Sequence, residues 1–308
     1  MNKILLSVVM PVYNRQDLVL ESIESVLKDQ SSDYELIVVD DLSTDNTLEK
    51  LSTIKDPKLK IFQSPQRKNG NLARNTGAKF SNGKYLSFLD SDDIFLENRL
   101  SSLRKLIKDQ PSEDVFLESF IVSNNGNLDP ISYPNCSPEP SSLAKILALH
   151  AIPITCSTIT IKRATFDKLG GFDENFSRHQ DRDFLLDLLG KGYRISLSDS
   201  KSLIKVQNST SFSRSPDNYF LPLDQLISKH KKVFNTVPEE FIGYLVSRGF
   251  IQLLKKYGLK SVKKTIKQVK MLHSFQFSIF YALINYSKGR RIRKEESARF
   301  ILDCNKNL

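Results

Sequence analysis

The sequence predicts an α/β fold in which a mostly parallel sheet carries helices on both faces and is followed by a helical C-terminal region. Over the first hundred residues, short apolar runs alternate with segments whose apolar residues recur at helical spacing. The apolar runs are continuous, which is typical of parallel strands buried on both faces. Beyond about residue 215 the pattern becomes helical and rich in lysine. We therefore divide the 308 residues into a sheet-containing domain at 1–215 and a basic helical region at 216–308.

The same two patterns give the order of the elements. Strands are predicted at 5–12, 34–39, 59–62 and 84–89, with helices at 18–27, 47–54 and 72–80. Further along, helices are predicted at 96–108, 143–150 and 184–189, and strands at 115–122, 154–161, 193–197 and 203–206. The Asn-Asn-Gly-Asn sequence at 124–127 predicts a turn, and the four prolines within 130–140 predict a loop.

The composition excludes several classes of protein. With 40% apolar and 26% charged residues, the chain has the mix of an ordinary globular protein rather than of a disordered one. It contains no run of about 18 apolar residues, so we expect no membrane-spanning helix, and we expect no secretory signal. Three cysteines, Cys136, Cys156 and Cys304, are too few and too scattered for a disulfide framework or a zinc site. These features predict reduced cysteines and a cytoplasmic location.

The positive charge is concentrated in the last quarter of the chain. Residues 229–308 contain 18 Lys or Arg and 5 Asp or Glu, a net charge of +13, whereas residues 1–228 carry a net charge of −3. A basic helix beside aromatic residues suits an anionic membrane surface, and a solvated helix face in a basic protein is the alternative. The residues concerned are Lys255, Lys256, Lys260, Lys263, Lys264, Lys267, Lys270, Arg290, Arg291, Arg293 and Lys294, with Phe275, Phe277, Phe280 and Tyr281.

Polar residues end three of the predicted strands, in the sequences MPVYNR, VVDDLSTDNT and SFLDSDD. Ligands of doubly wound sheets bind at the carboxyl ends of the strands, where such residues gather. Asp90, Asp92 and Asp93 place three carboxylates within four residues, and these repel one another unless a cation neutralises them. Carboxylate oxygens suit Mg²⁺ or Mn²⁺, which also bind phosphate oxygens. This strand end therefore predicts a divalent metal that holds a diphosphate.

Six motifs follow one another in the chain: MPVYNR, VVDDLSTDNT, NLARNTG, YLSFLDSDD, GGFDENF and HQDRDFLLDLL. Their order and spacing resemble the family 2 glycosyltransferases over about residues 4–210. The resemblance implies a Rossmann-like GT-A fold, with a nucleotide-binding half at about 1–95 and an acceptor half at about 96–215. It also implies an inverting enzyme that needs a nucleoside-diphosphate sugar and a divalent metal, Mn²⁺ or Mg²⁺.

The resemblance assigns the first two motifs to the nucleoside subsite. Asp40 and Asp41 resemble the pair that closes this subsite, with Asp40 as the preferred contact to the base. A carboxylate at this place accepts a hydrogen bond from an N–H of the base. Pro11, Val12 and Tyr13 resemble the wall against which the base lies. We expect a donor of the UDP type.

The third and fourth motifs are similar to the part that holds the diphosphate and the metal. Arg74 lies where family members place an arginine against the nucleotide, and a guanidinium suits phosphate contact; an ordinary solvated arginine is the alternative. Asp92 matches the metal ligand, and Asp90 matches the acid expected near the ribose and the metal, with Ser91 between them in the same subsite. Asp93 is expected to cap the following helix.

The last motif resembles the Glu-Asp-x-Asp sequence that carries the general base of the family. Here the sequence is Gln180-Asp181-Arg182-Asp183, which makes Asp181 the base and Asp183 a supporting carboxylate. Gln180 removes a negative charge beside Asp181, which should lower the pKa of that carboxyl slightly relative to the usual pair. Asn208 stands near the position of a family histidine that contributes to metal or diphosphate binding, and whether it replaces that histidine is open.

The function implied by the resemblance is transfer of one sugar, of the hexose type, to an acceptor hydroxyl in bacterial-type surface polysaccharide or glycolipid assembly. The chain has no tryptophan and so lacks the Gln-x-x-Arg-Trp motif of processive synthases. The expected acceptor is a saccharide or lipid-linked saccharide, and the expected location is cytoplasmic, either free or peripheral on the inner face of the membrane. Two alternatives remain: a nucleotidyltransferase on a similar fold, and a nucleic-acid-binding protein that uses the basic C-terminal region. The sugar, the linkage and the oligomeric state are left open.

Overall fold

The computed structural model describes residues 4–124, 126–206, 217–238, 240–242, 244–245, 247–248 and 279–306. The strands are β1 (Leu6–Val12), β2 (Tyr34–Asp40), β3 (Leu59–Gln63), β4 (Tyr85–Phe88), β5 (Asp93–Phe95), β6 (Val115–Asn124), β7 (Asn127–Ile131), β8 (Ile159–Lys162) and β9 (Ile195–Val206). The helices are α1 (Val19–Leu27), α2 (Thr47–Thr53), α3 (Gly70–Phe80), α4 (Arg99–Asp109), α5 (Pro140–Ala148), α6 (Arg163–Leu169), α7 (Gln180–Gly190), α8 (Asp217–Lys229), α9 (Lys231–Phe234) and α10 (Ile279–Lys306). The predictions for Asn208, for Lys255 to Lys270 and for Phe275 and Phe277 lie outside these residues.

The strands of the described residues form one sheet in the order β3-β2-β1-β4-β8-β6-β9-β5, with β7 beside β6. Its first half, β3-β2-β1-β4, is parallel throughout, as predicted. Every residue of β1, β2 and β4 is buried. Because neighbouring side chains in a strand point to opposite faces, both faces of this half are covered.

The second half of the sheet is mixed. Strand β8 is antiparallel to both β4 and β6, while β9 is parallel to β6. The predicted turn at 124–127 joins β6 to β7 as a hairpin, in which Asn124 pairs with Asn127 and Gly126 has a φ of 85°. This left-handed conformation costs glycine little, which explains its place in the turn.

Several features of this half differ from the prediction: β7 extends into the expected loop, and β8 begins at Ile159 rather than at 154. The strands expected at 193–197 and 203–206 are one strand, β9, because the polar residues between them continue the pairing with β6, across a register shift, without an apolar pattern. The short strand β5 was not expected, since only three residues, Asp93 to Phe95, form it. It is held by antiparallel pairing with β9, in which Asp93 lies opposite Lys205. That pairing joins the acidic strand end to a residue more than a hundred positions later.

Helix α3 is packed against β1 and β2 and is buried from residue 71 to residue 78. It begins at Asn69, whose side-chain oxygen accepts hydrogen bonds of 3.1 Å from two backbone amides of the first turn. A Cβ atom on Gly77 would lie 2.5 Å from Val9 Cγ1 and 3.2 Å from Val39 Cγ2. Glycine therefore permits the helix to approach the sheet closely.

The last helix, α10, is attached to the sheet-containing domain at three points. A disulfide joins Cys304 to Cys136 with their Cα atoms 5.7 Å apart, the Glu296 carboxylate lies 3.0 Å from Lys145 Nζ, and Phe300 is buried. The expectation that the cysteines remain reduced is wrong for this pair, because folding brings together residues 168 positions apart; Cys156 is free and buried. None of the helices in the described ranges combines the length and the apolar character needed to cross a bilayer.

Candidate active site

The predicted site residues meet at the carboxyl edge of the parallel half of the sheet. Strands β2, β1 and β4 are neighbours, so the segments after them emerge side by side. The backbone amide of Asp41 donates to the Val12 carbonyl at 2.7 Å, which joins the ends of β2 and β1. Arg15, just after β1, reaches Asp92 after β4 with a nitrogen–oxygen distance of 3.4 Å. The topology thus creates one cleft from three separate motifs.

The two acids after β2 differ in the partners of their carboxylates. Asp40 is fully buried and accepts hydrogen bonds from the Ser43 amide at 3.1 Å and from Gln63 Nε2 at 3.4 Å. Asp41 Oδ1 is buried and has no hydrogen-bond partner among the described residues. Burial raises the pKa of Asp41 above its usual value. Asp41 therefore offers an acceptor atom that is unpaired among these residues, and the preference for Asp40 as the contact to a base stays a prediction.

The predicted wall of this subsite is only partly exposed. Pro11 and Val12 are buried within β1, opposite Val39 and Asp40 of β2, whereas Tyr13 is half-buried at the strand end. The guanidinium of Arg67 lies 4.0 Å from the centre of the Tyr13 ring, at the distance of a cation–π contact. Arg67 lies in an exposed polar segment, in which no sequence signal distinguishes it from its neighbours.

Arg74 is buried in α3 and forms an ion pair with Asp90, so the alternative of a solvated arginine is excluded. The Arg74 guanidinium also donates to Asn71 Oδ1 at 3.3 Å. Burial alone would raise the pKa of Asp90, but Arg74 and Lys205 lower it below its usual value. Asp90 is therefore held as a carboxylate at the strand end. Its backbone amide donates to Ser157 Oγ at 3.0 Å, which fixes the strand end against the segment before β8.

Asp92 is the least engaged of the acids at this strand end. Its side chain is 22% exposed, and the Arg15 guanidinium is the partner that lies beside it. Burial and the neighbouring Asp90 raise the pKa of Asp92. Ser91 is buried between the two acids. Asp92 and Asp90, with side chains 22% and 24% exposed, thus offer the carboxylate oxygens that a ligand can reach, and Asp92 has fewer partners than Asp90.

Asp93 is expected from the sequence to cap the following helix. This expectation is wrong, because the N-cap of α4 is Asn98. It is fully buried, accepts a hydrogen bond of 2.6 Å from Ser157 Oγ, and lies 3.3 Å from Lys205 Nζ. Burial raises the pKa of Asp93 to about 7, against the opposing effect of Lys205. Asp93 Oδ1 has no partner among the described residues.

A buried ion pair contacts the backbone at Ser157, in the segment before β8. Arg99 and Glu118 are both fully buried, with 3.1 Å between their nitrogen and oxygen atoms. Arg99 also donates to the Ser157 carbonyl at 2.8 Å and to Ser87 Oγ at 3.1 Å. Such a pair fixes geometry at the cost of desolvation, and losing one partner would leave an uncompensated charge. It therefore positions the residue that contacts both Asp90 and Asp93.

Asp181 lies in the first turn of α7 and interacts electrostatically with Lys205 and Asp90. Burial raises the pKa of Asp181, while Arg182 and Lys205 oppose this shift and Asp90 adds to it. Arg74 in turn is influenced by Asp181. Arg182 does not bind the Asp181 carboxylate through its guanidinium, which donates instead to the carbonyls of Leu147 and Ile152 at 2.7 and 3.0 Å. Asp181 thus interacts electrostatically with Asp90 of the strand end after β4 and with the cationic partners of Asp90, Arg74 and Lys205.

Asp183 has partners away from this cleft. Its carboxylate contacts His230 Nε2 at 2.8 Å and Lys229 Nζ at 2.9 Å, and Lys229 also lies 2.8 Å from Asp187. The donor atoms of Asp183, Asp187 and His230 lie close enough together to hold a metal ion. The Lys229 ammonium already supplies the positive charge there. Asp183 therefore connects α7 to α8 and α9.

Residues 7–170 match the sequence profile of the family described as Glycosyl transferase family 2. This match spans more than half of the chain. The chain belongs to this family. The resemblance found in the sequence motifs is confirmed.

One relative is the Escherichia coli UDP-Glc:alpha-D-GlcNAc-diphosphoundecaprenol beta-1,3-glucosyltransferase WfgD, to which this chain is 35% identical over 125 residues. The match covers 41% of this chain and 49% of that relative, so the chain spans about half of the relative's length. The chain is 33% identical over 236 residues to the Staphylococcus aureus poly(ribitol-phosphate) beta-N-acetylglucosaminyltransferase TarP, covering 71% and 70% of the two chains.

Solved structures show the same fold at lower identity. The S. aureus TarS 1–349 complex with UDP-GlcNAc is 20% identical, covers 96% of this chain and 92% of its own, and gives a TM-score of 0.66. A Pyrobaculum calidifontis mannosyltransferase in complex with GDP-Man and Mn²⁺ is 18% identical over 95% and 84% of the chains, with a TM-score of 0.56. The predicted α/β class with its GT-A sheet is thereby confirmed.

Proposed function

We propose that this family 2 member is an inverting, metal-dependent glycosyltransferase that moves one sugar from a nucleoside-diphosphate sugar to an acceptor hydroxyl. The observation that supports the proposal is the electrostatic interaction of Asp181 with buried Arg74 and its ion-pair partner Asp90, two residues before Asp92. A buried cation, an accessible carboxylate and a carboxylate with a raised pKa are the groups that such a transfer requires.

In this proposal, the nucleoside lies at the ends of β1 and β2. Asp41 accepts a hydrogen bond from an N–H of the base through its free Oδ1, and Tyr13 with Arg67 flanks the ring. Asp40 supports this subsite through its own hydrogen bonds to the loop after β2. Asp90 and Ser91 lie toward the ribose and the diphosphate. The UDP-GlcNAc and UDP-Glc in the names of relatives favour a donor of the UDP type.

Asp92, assisted by Asp90, would hold a divalent metal. The donor set fits such an ion, since both are hard carboxylate ligands and Asp92 is accessible from the cleft. When bound, the metal supplies positive charge that stabilises the departing diphosphate. The Mn²⁺ in the mannosyltransferase complex supports Mn²⁺ as the ion, with Mg²⁺ as the other candidate.

Asp181 acts as the general base. Its carboxylate takes the proton of the acceptor hydroxyl while the oxygen forms a bond to the anomeric carbon. At the same time, the bond from that carbon to the diphosphate oxygen breaks, and the diphosphate leaves with the electron pair. Attack from the face opposite the leaving group inverts the anomeric carbon. Arg182 keeps α7 in place by binding two backbone carbonyls of the segment that begins at α5.

The acceptor is proposed to be a saccharide or a lipid-linked saccharide of a bacterial surface polymer or glycolipid. The names of the relatives, which include a diphosphoundecaprenol-linked and a poly(ribitol-phosphate) acceptor, support this class. We further propose a cytoplasmic location with peripheral attachment to the membrane through the basic region at 216–308. The division at residue 215 remains part of this proposal.

The test is a pair of matched substitutions on α7. Asp181→Asn removes the base and keeps the shape of the side chain, so we expect transfer to fall by about 10²–10⁴-fold while the Kd for UDP changes little. Asp187→Asn, which makes the same change two turns along the helix and outside the cleft, should keep its transfer rate. Transfer is measured as UDP release in the presence of acceptor. A full rate in Asp181→Asn would contradict the proposal.

A further inference from the structure

Among the described residues, Lys205 is one of three cations that lie beside the acids of the strand end. It lies on β9 opposite Asp93 of β5, and its ammonium nitrogen is 3.3 Å from Asp93 Oδ2 and 3.8 Å from Asp90 Oδ2. Its side chain is 32% exposed, so solvent still reaches part of it. The family resemblance assigns no role to this position.

The charges around Lys205 are balanced within the protein. Three cations, Arg15, Arg74 and Lys205, face the carboxylates of the strand end, and each lies within 4 Å of at least one of them. Asp90 is contacted by two of these cations. The acids that would bind a divalent metal are therefore already neutralised before any ligand enters.

An ammonium group this close to the metal ligands repels a second cation. A divalent ion at Asp92 and Asp90 would lie within a few ångströms of Lys205, and at this distance two positive charges interact unfavourably unless anionic groups surround them. The diphosphate of a nucleotide supplies those anionic groups. It also provides oxygen ligands for the metal.

We infer that Lys205 is a resident cation that excludes the divalent metal from the nucleotide-free protein, so that the metal enters only together with the diphosphate of the donor. The inference rests on the proposed function, because it assigns an order to the binding of metal and nucleotide at that same site. In this inference, the positive charge of Lys205 is what repels the divalent metal.

The test measures Mn²⁺ binding directly by electron paramagnetic resonance, without any turnover. In the nucleotide-free wild-type protein we expect weak binding, and UDP should strengthen it by at least about tenfold. Lys205→Met removes the charge and keeps much of the volume, so it should bind Mn²⁺ at least about tenfold more tightly than the wild type without UDP. Lys205→Arg retains the charge and should bind as weakly as the wild type.

Two controls define the site. Lys201→Met makes the same change at an exposed lysine of β9 and should bind Mn²⁺ as the wild type does. Adding Asp92→Asn to Lys205→Met should abolish the gained affinity. Equal Mn²⁺ affinity of the wild type and Lys205→Met without UDP would overturn the inference, as would tight binding by Lys205→Arg. Failure of the proposed function has a different signature, namely no UDP binding by any variant.

Discussion

Asp181 must be charged to accept a proton, and its burial works against that charge. Burial raises the pKa of the Asp181 carboxyl, and the positive charges of Arg182 and Lys205 limit the shift. Gln180 stands where the family has a second acid, and the missing negative charge also lowers the pKa of Asp181 relative to the usual pair. The pKa of Asp181 is therefore raised above its usual value, which makes the carboxylate a stronger base than an ordinary aspartate.

This pKa predicts the pH dependence of transfer. A raised pKa means that Asp181 is protonated, and inactive as a base, at a higher pH than an ordinary aspartate. We expect kcat/KM to fall on the acid side with a midpoint above about 3.9, the usual value for aspartate, while UDP binding persists. Steady-state rates across the pH range, with circular dichroism as a folding control, provide the measurement. Asp93 has its own raised pKa, so an acid limb that vanishes in Asp93→Asn would contradict the assignment to Asp181.

The sequence identified the acids of the site but not the partners that decide what each acid does. Asp40 and Asp41 are adjacent, and only the Asp40 carboxylate accepts hydrogen bonds from the Ser43 backbone amide and the Gln63 side chain. Lys205 is the single charge of the strand predicted at 203–206, a pattern that does not indicate a site. Its contact with Asp93 depends on strand pairing across 112 positions, which periodicity does not report.

At the scale of the element, the predictions held where apolar periodicity is strong. The parallel strands β1, β2 and β4 have continuous apolar sequences, and their predicted positions agree with the structure. Helix α7 begins at Gln180 rather than at 184, because acids in its first turn interrupt the apolar pattern while stabilising the N-terminus of the helix. Strand β5 is too short to carry a pattern at all.

The close packing of α3 on the sheet makes a stability prediction. Gly77→Ala would place a Cβ atom 2.5 Å from Val9 Cγ1, so the helix or the strand must shift. We expect the free energy of unfolding to fall by about 1–3 kcal/mol, although alanine has the higher helix propensity. Gly190→Ala, at the end of α7 with open space around it, is the matched control and should leave stability unchanged or raise it by up to about 1 kcal/mol. Chemical denaturation followed by circular dichroism measures both, and equal stabilities would contradict the packing argument.

Across the whole molecule, the positive charge is concentrated in one part of the chain. The sheet-containing part has a slight negative charge, and residues 229–308 carry a net charge of +13. The disulfide to Cys136 and the contact between Lys145 and Glu296 attach α10 to that part, so its basic residues are displayed at a defined position. Arg290, Arg291 and Lys294 are exposed on this helix. A lipid-linked acceptor would be reached most readily if this face lay on the membrane.

Vesicle flotation tests this orientation. The protein should float with vesicles that contain anionic lipid and much less with neutral ones, because each cation near an anionic surface contributes about 1 kcal/mol. Replacing Arg290, Arg291 and Lys294 by Gln should weaken binding by about 3 kcal/mol, or about a hundredfold. Replacing the exposed Lys79, Lys105 and Lys108 of α3 and α4 by Gln removes the same charge elsewhere and should have a smaller effect. Equal partition of the wild type into anionic and neutral vesicles would contradict membrane binding by the basic helix. It would favour the alternative, a solvated helix face in a basic protein.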